Sequence, residues 1–324
     1  MIFKGVDFFP HGTRFPILEY RKVFVGLTLA AAVLSAALLL TRGLNFGVDF
    51  KGGSLIEIKA KSGTLDVVKL RETLNGLGVG EPQVQAVGDS EALIRIGQQP
   101  GADALAESRS QDAANKKVTG SLAANFDIRR TEVVGPAVSQ ELKSTAVLAI
   151  IASILGIAIY VWFRFEWQFA LAAIVALIHD VFITTGLFSL LWYEFDLSVV
   201  AALLTLAGYS INDTVVIFDR VRENMRKYKK MEMVDLLNLS LNETLSRTVL
   251  TAGVTAIAVL ALWLFGTTVI EAFTFAMLFG VIIGTYSSIF IAAPILLWLG
   301  VDRGAIVGEQ KSDKATAAAK AGLP

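Results

Sequence analysis

The sequence predicts an α-helical polytopic membrane protein with six transmembrane helices and one α+β domain outside the membrane. The chain has 324 residues, of which 54% are hydrophobic and only 18% charged, and this is too apolar for an ordinary soluble protein. Six apolar stretches are long enough to cross a bilayer, which takes about 20 residues. Segment 42–143, by contrast, mixes charges with glycines and contains no such stretch.

Composition also limits the chemistry that the chain can perform. It has no cysteine, which excludes disulfides, thiolate metal sites and cysteine nucleophiles. Its two histidines, His11 and His179, are too few for a histidine metal cluster. The 29 basic and 29 acidic residues balance, and the pair Gly52-Gly53 lacks the lysine of a phosphate loop. We expect no catalytic residues, no bound metal and no nucleic-acid partner.

The chain begins with a predicted cytoplasmic arm and a first transmembrane helix. Residues 1–22 combine basic with aromatic side chains, as is typical of a segment lying on a membrane surface. The apolar stretch 23–41 follows, with 19 uncharged residues. A secretory signal has only about 7–15 apolar residues, so this stretch is interpreted as an uncleaved anchor.

Segment 42–143 is predicted to fold as a periplasmic α+β domain. Ile56 and Ile58 alternate with Glu57 and Lys59, which indicates a strand. The predicted elements are a strand at 54–60, a helix capped by Thr64 and running to Leu77, a hairpin of 83–87 with 92–96, a helix at 103–125 and a strand at 128–134. This β-α-β-β-α-β order is that of the ferredoxin-like split β-α-β fold.

Five further apolar stretches predict a five-helix transmembrane region over residues 146–299. They cover residues 146–163, 168–192, 198–218, 249–265 and 269–299. The last stretch is long enough to tilt or break, and it contains Pro294. Gly280 and Gly284 form a GxxxG pair on it, which predicts a face for close helix packing.

The cytoplasmic side is predicted to hold a helical loop and a disordered tail. In the loop 219–247, Val234, Leu237, Leu241 and Leu245 recur at helical spacing, which predicts a helix lying on the membrane surface. The tail, residues 300–324, is rich in small and charged residues, and we expect it to be cytoplasmic and disordered.

Basic residues in the short loops decide the orientation, because Lys and Arg concentrate on the cytoplasmic side. They occur in the arm 1–22, at Arg164, in the loop 219–247 and in the tail, all on one face of a six-span topology. The loops 193–196 and 266–268 on the opposite face contain none. Both termini are therefore expected in the cytoplasm.

Ionisable side chains within the spans are the candidate functional residues, since an ionised aspartate at a span's centre costs about 2.5–3.5 kcal/mol. They are Asp213 with its neighbour Asn212, Asp180 with its neighbour His179, and Arg247. At ~1.5 Å per residue, Asp180 lies roughly 18–20 Å from the cytoplasmic start of its span, and Asp213 lies about 9 Å from the charged end of its own. A direct pair of the two carboxylates is not expected.

The sequence predicts Asp213 and Arg247 as partners. Arg247 opens the fifth span, and its long side chain can reach the level of Asp213 if the two helices are neighbours. Movement of one relative to the other would switch Asp213 between neutral and charged forms, while the arginine stays protonated. A proton that loads from one side and leaves to the other would couple conformation to the membrane potential, at about 2.3 kcal/mol per 100 mV.

Simpler structural roles remain open for these residues. Asp213 and Arg247 could form a static ion pair that fixes helix register. Asn212 fits a hydrogen-bonding neighbour better than a proton carrier. Asp180 could make a structural polar contact, and the ring of the adjacent His179 could bond a backbone carbonyl.

Five motifs resemble, in order and spacing, the SecD/SecF family of bacterial protein-export membrane proteins, in particular its SecF branch. They are NFGVDFKGGSLIEI (45–58), VGPAVSQEL (134–142), LIHD (177–180), GYSINDTVVIFDRVREN (208–224) and SRTVLTAGVTA (246–256). The fourth is the most specific, and the resemblance runs from about Tyr20 to Leu299, which is nearly the whole chain. Ser139 departs from the pattern, because the family usually has glycine there.

The resemblance implies one six-span half of a resistance-nodulation-division-type bundle, whose other half is SecD in a heterodimer. It implies association with the SecYEG channel, often with YajC, and contact with translocating preproteins at the bacterial inner membrane. It also implies proton-linked roles for the aspartate of SINDT, Asp213, and the arginine of SRT, Arg247. Protons would be the coupling ion, with no other cofactor.

The expected function is that of a non-enzymatic accessory subunit of the Sec translocase, which uses the proton motive force to help draw preproteins across the inner membrane. Its predicted proton pathway consists of Asp213, Arg247, Asn212, Asp180 and His179. One alternative is a small-molecule or lipid exporter of the same superfamily, for which six spans and one outer domain are incomplete. The other alternative is a structural or assembly subunit that transports nothing.

Overall fold

A computed structural model describes residues 14–301 of the chain. The first thirteen residues of the predicted arm and all but the first two of the predicted tail lie outside this range. The chain divides into two compact units. Leu44–Ala149 and Trp192–Val200 form the α+β unit, and the other described residues form the helical unit.

The described chain contains ten α-helices and six strands. The helices are α1 (Arg21–Thr41), α2 (Val48–Lys51), α3 (Val67–Asn75), α4 (Ala104–Leu122), α5 (Pro136–Arg164), α6 (Trp167–Leu191), α7 (Leu197–Lys227), α8 (Met233–Phe265), α9 (Glu271–Ser287) and α10 (Ala293–Leu299). The strands are β1 (Asn45–Phe46), β2 (Gly53–Ala60), β3 (Gln83–Val87), β4 (Glu91–Ile96), β5 (Phe126–Val134) and β6 (Glu194–Phe195).

The α+β unit has the predicted ferredoxin-like fold. Its four-stranded sheet has the order β3-β4-β2-β5, and every neighbouring pair is antiparallel. The alternation in β2 places Ile56 and Ile58 in the core, opposite Ile94 and Ala92 of β4. Helix α3 presents Leu70 and Leu74 to the same core. The apolar face of the strands, which recurs every two residues, therefore packs against the apolar face of the helix in one core, as the sequence predicts.

Two boundaries of the α+β unit differ from the prediction. Asp66, rather than Thr64, caps α3, because its Oδ1 accepts from the backbone N–H of Val68 and of Lys69 at 3.1 and 3.0 Å. The short β6, within the connection before α7, pairs in parallel with β1. That connection therefore belongs to the α+β unit instead of being a simple turn between spans.

The helical unit supplies most of the six predicted spans. Within residues 14–301, six helices are long and apolar enough to cross a membrane, which confirms the polytopic fold class. In α6, α7 and the last span, 50–56% of the most apolar window is buried, against 6–11% in α1, α5 and α8. The first three are therefore the core of the unit, and the other three expose apolar faces.

The prediction of a surface-lying helix between the fourth and fifth spans is wrong. Helix α7 continues to Lys227, and α8 starts at Met233 and runs without a break into the fifth span. Leu237 and Leu241 are buried in the core cluster of the helical unit. Helical spacing alone does not distinguish a face that meets lipid from one that meets protein.

Two helices begin or bend where the sequence gives a local reason. α5 starts at Pro136, ten residues before the predicted span, since proline is well tolerated in a first helical turn. Ser139 sits in that turn, and its hydroxyl donates to the Pro136 carbonyl at 3.0 Å. The last span changes to a π-helix at Ser288–Ala292, just before Pro294, which cannot donate a helical hydrogen bond.

Candidate functional site

Asp180 is the most deeply buried carboxylate of the predicted site. Its side chain is fully buried on α6. Ser210 of α7 and Ser287 of α9 both donate hydroxyl hydrogen bonds to Asp180 Oδ2, at 2.6 and 2.8 Å. Oδ1 lies 3.0 Å from Nδ1 of His179. One carboxyl group thus joins the three core helices of the helical unit.

Close helix packing brings these partners together. A side chain at Gly284 would lie 3.0 Å from Cβ of Ser210, and one at Gly280 would meet Leu206. The GxxxG face predicted for the last span therefore packs against α7. Next to it, the hydroxyls of Thr214 and Ser288 are 2.8 Å apart. We call Asp180, Ser210, Thr214, Ser287 and Ser288 the polar seam.

Asp213 lies on α7 one turn beyond Ser210 and is also buried, with 4% of its surface exposed. Its Oδ2 is buried and has no hydrogen-bond partner among residues 14–301. Thr251 of α8 is the hydrogen-bonding side chain that faces this carboxyl, and its hydroxyl also donates to the backbone carbonyls of Arg247 and Thr248, each at 3.0 Å. The contrast with Asp180 is plain, since that carboxylate accepts hydrogen bonds from two neighbouring helices.

Arg247 is the charged residue of α8 that acts electrostatically on Asp213. The part of the chain that the structure describes has no direct ion pair between the two. Arg247 is exposed and lines a cavity of ≈ 380 Å³ together with Val216, one turn from Asp213. The other lining residues are Asp219, Arg220, Glu223, Glu243 and Thr244. This charged cavity therefore extends to within one helical turn of the buried carboxylate.

The remaining predicted site residues occupy different surroundings. Asn212 is exposed on the surface of the helical unit, not turned toward the seam. His179 is buried, and its ring centroid lies 6.4 Å from that of Tyr286. Arg222, near the charged end of α7, has a side chain that is only 12% exposed and pairs with Glu166 at 3.2 Å.

Sequence reasoning missed the serines and the threonine of the polar seam. Ser210 is three residues before Asp213, and Ser287 is three residues after Gly284. Small polar residues at helical spacing from a buried acid or a GxxxG pair were the available signal. Which of the two aspartates accepts their hydrogen bonds depends on how three helices are rotated about their axes, and the sequence does not determine this rotation.

No group of three or more metal-ligating side chains occurs among the described residues. The arrangement can hold protons instead. A protonated carboxyl group, a hydroxyl group and a neutral imidazole each donate and accept hydrogen bonds, so a run of such groups can pass a proton along. Arg247, which stays charged, cannot carry a proton but can shift the balance between forms of a nearby carboxyl.

Comparison with known proteins identifies the family. The family model described as "Protein export membrane protein SecD/SecF, C-terminal" matches residues 114–302, and "SecD/SecF GG Motif" matches residues 37–64. A protein translocase subunit SecF from Cereibacter sphaeroides is 45% identical over 313 residues, covering 94% of this chain and 95% of that relative. One from Rhodobacter capsulatus is 45% identical and covers 91% of each.

Solved structures agree with the sequence relatives. The crystal structure of SecDF, a translocon-associated membrane protein from Thermus thermophilus, superposes with a TM-score of 0.80 at 34% identity and covers 89% of this chain. A SecDF crystal structure in a super-membrane-facing form gives a TM-score of 0.63. The present chain spans 39–40% of those SecDF chains. It therefore belongs to the SecD/SecF family of protein-export membrane proteins and corresponds to the SecF portion, a multi-pass subunit of the bacterial inner-membrane protein translocase.

Proposed function

We propose that this subunit uses the proton motive force to help draw preproteins across the inner membrane, with Asp213 as the residue that takes up and releases the proton. The observation that carries the proposal is the burial of a carboxyl oxygen of Asp213 without a hydrogen-bond partner in residues 14–301. An ionised carboxylate in such surroundings costs several kcal/mol. The neutral form of the Asp213 carboxyl is therefore favoured until a positive charge approaches it.

Arg247 supplies the charge that approaches. In the described arrangement its guanidinium acts on Asp213 without a direct ion pair, so a modest movement of α8 relative to α7 is enough to make or break that pair. The making of the pair favours release of the proton, and its breaking favours uptake. The charged cavity beside Arg247 gives water access from one end of the helices.

On the other side of Asp213, the polar seam offers a continuation for the proton. Ser210 lies one turn of α7, about 4.5 Å along the helix axis, from Asp213 and hydrogen-bonds Asp180. Asp180 in turn contacts His179. We include Asp180 and His179 in the pathway on this basis. Asn212, which faces outward, is assigned to contact with a partner chain.

The proposal includes an orientation and a set of partners. With both termini in the cytoplasm, the α+β unit faces the periplasm, where preproteins emerge. SecD is the proposed heterodimer partner, since SecDF relatives such as that of Brucella abortus contain this portion within one longer chain. SecYEG and YajC are further proposed partners. The subunit would act without catalysing a chemical reaction and with protons as its coupling ion.

Preprotein movement in sealed membrane vesicles tests the proposal. Asp213→Asn keeps the size of the side chain but cannot release a proton. We expect it to insert and to associate with SecD normally, and to lose the gain in preprotein movement that an imposed proton gradient gives the unaltered protein. Asp235→Asn is the matched control, because Asp235 is an exposed acid at the start of α8 and does not line the charged cavity. This control should keep the gain.

The outcomes separate the proposal from its rivals. Full gradient dependence in the Asp213→Asn protein would overturn the proton-carrier role and leave a structural subunit. If removal of the whole subunit leaves preprotein movement unchanged but abolishes efflux of a small solute, the result would instead support an exporter.

A further inference from the structure

We infer that residues 45–53, here called the GG segment, form a joint that fixes the start of α7 to the α+β unit, with Asp49 as the positioning residue. This inference rests on the proposed function, because it gives a path by which movement at Asp213 reaches the α+β unit. The double glycine of the segment matches a family motif, and the proton pathway makes no use of it.

Two carboxylates hold the first turn of α7. Asp49 Oδ2 accepts from the backbone N–H of Leu197 at 2.9 Å. Asp196 Oδ1 accepts from the N–H of Val199 at 3.0 Å and from the hydroxyl of Ser198 at 2.6 Å. The N–H groups of a first helical turn have no partner within the helix, and negative charge is favoured beside them. Asp196 is the local cap, whereas Asp49 reaches α7 from a distant part of the chain.

Backbone pairing and aromatic packing reinforce this contact. β1 of the GG segment pairs in parallel with β6, immediately before α7, and the N–H of Gly47 donates to the carbonyl of Phe195 at 2.9 Å. The rings of Phe46 and Phe50 lie 6.1 and 6.2 Å from that of Phe195. Such contacts resist both sliding and rotation of the segment that leads into α7.

Glu194 and Arg95 add an ion pair between β6 and the main sheet. Burial raises the pKa of Glu194, and the charges of Asp196 and Asp49 raise it further, while Arg95 lowers it. The Glu194–Arg95 ion pair therefore joins β6, which already pairs with β1 of the GG segment, to β4 as well.

The glycine pair anchors the other end of the joint to the centre of the sheet. Gly53 has φ +113°, and a side chain there would overlap the carbonyl oxygen of Ile96 in β4. Gly52 has φ +74°, so both positions favour glycine. Because of them, α2, which carries Asp49, passes directly into the central strand β2 without a flexible linker.

The first turn of α7 and the proton site lie on one continuous helix. Asp213 is about 24 Å from Leu197 along that helix, at ~1.5 Å per residue. An α-helix transmits axial movement over several turns, since its hydrogen bonds run along its axis. A shift of α7 at Asp213 would therefore pull on Asp49 and on the strand that follows it.

Asp49→Ala tests the joint in the gradient-driven assay with the full protein and its SecD partner. We expect normal insertion and association, but a gradient-dependent gain that is reduced about fivefold or more. This is the factor by which the loss of one helix-capping hydrogen bond changes an equilibrium constant. Asp49→Asn keeps an oxygen acceptor and should keep most of the gain. Asp103→Ala is the matched control, because Asp103 caps α4 of the same unit through the N–H of Ala106 at 2.7 Å.

A disulfide provides the second, independent measurement. The chain has no cysteine, and Phe46 and Phe195 are register partners on adjacent strands, at a separation that a disulfide bridges. The reduced Phe46→Cys/Phe195→Cys protein lacks the aromatic packing and should lose part of the gain. Oxidation of the same protein should restore the gain, and it should do so in the Asp49→Ala background as well. If Asp49→Ala fails to assemble, Asp49→Ser, whose shorter side chain also loses the contact, takes its place.

The outcomes keep the two proposals apart. If Asp213→Asn loses the gain while Asp49→Ala retains it, the joint is overturned and the proton role stands. Loss of the gain on oxidation of the cysteine pair would also overturn it, because the joint would then have to open during the cycle. If Asp213→Asn keeps the gain, the proton role fails and the joint has no movement to transmit.

Discussion

Replacement of Asp180 by Ala and by Asn distinguishes a role in helix packing from a role in proton transfer. Asp180→Ala removes the acceptor of Ser210 and of Ser287 and leaves a polar gap among three core helices. Hydrogen bonds to a charged group contribute about 1.5–3 kcal/mol each, and an orphaned donor costs about 1–3 kcal/mol. Ser287 can turn to the carbonyl of Gly284, 3.1 Å away, which offsets part of the loss. We therefore expect a destabilisation of about 2–4 kcal/mol.

Asp180→Asn has nearly the same shape, and its amide oxygen can accept from both serines while the amide nitrogen faces His179. Its stability should stay within about 1 kcal/mol of the unaltered protein, since the hydrogen bonds are retained. Denaturant titration in mixed micelles measures both variants. In the vesicle assay, Asp180→Asn should nevertheless lose gradient dependence, because an amide cannot release a proton. A stable Asp180→Asn protein with full gradient dependence would refute a proton role for Asp180, and an Asp180→Ala protein of unchanged stability would refute the seam.

Three further predictions concern the two units separately. Gly53→Ala should destabilise the α+β unit by ~1–3 kcal/mol from backbone strain alone, and the overlap of the new side chain with β4 should add to this loss. Gly63→Ala should cost less, because Gly63 has φ +76° but open space around it. Proteolysis of the α+β unit measures the stability of both variants. Gly186→Leu should loosen α1 from α6, because Ser35 occupies the space of the new side chain, and overpacking costs ~1–3 kcal/mol; the thermal midpoint in detergent reports the loss. Burial raises the pKa of Glu194 above its ordinary value of 4.5, so the folded protein binds more protons between 4.5 and the raised value, and stability in that window rises as pH falls. Glu194→Gln should abolish this part of the pH dependence of the thermal midpoint, and an unchanged pH profile would contradict the assignment.

The sheet could be predicted from the sequence because its signals are local. Ile56 and Ile58 alternate with charged residues, and the hairpin of β3 and β4 follows from two short apolar runs around Gly88-Asp89-Ser90. The same holds for the spans, since length and apolar composition alone define a helix that can cross a membrane.

The site could be predicted only in part, because its contacts depend on how helices face one another. Asp180 and Asp213 stand out as acids in apolar surroundings. Nothing local shows that Ser210 donates to Asp180, or that Oδ2 of Asp213 has no hydrogen-bond partner among residues 14–301. The start of α8 illustrates the same limit, since its apolar spacing fits a core face and a lipid face equally well. The contact of Asp49 with α7 joins residues far apart in the sequence and has no local signal.

Infrared difference spectroscopy of the assembled complex in lipid tests the central claim most directly, because a protonated carboxyl group has its own stretching band. We predict a carboxyl band that disappears as the pH is raised, that is missing in Asp213→Asn and that persists in Asp235→Asn and Asp180→Asn. A pH-dependent carboxyl spectrum that is identical in the unaltered protein and in Asp213→Asn would contradict the assignment of Asp213 as the proton-binding residue.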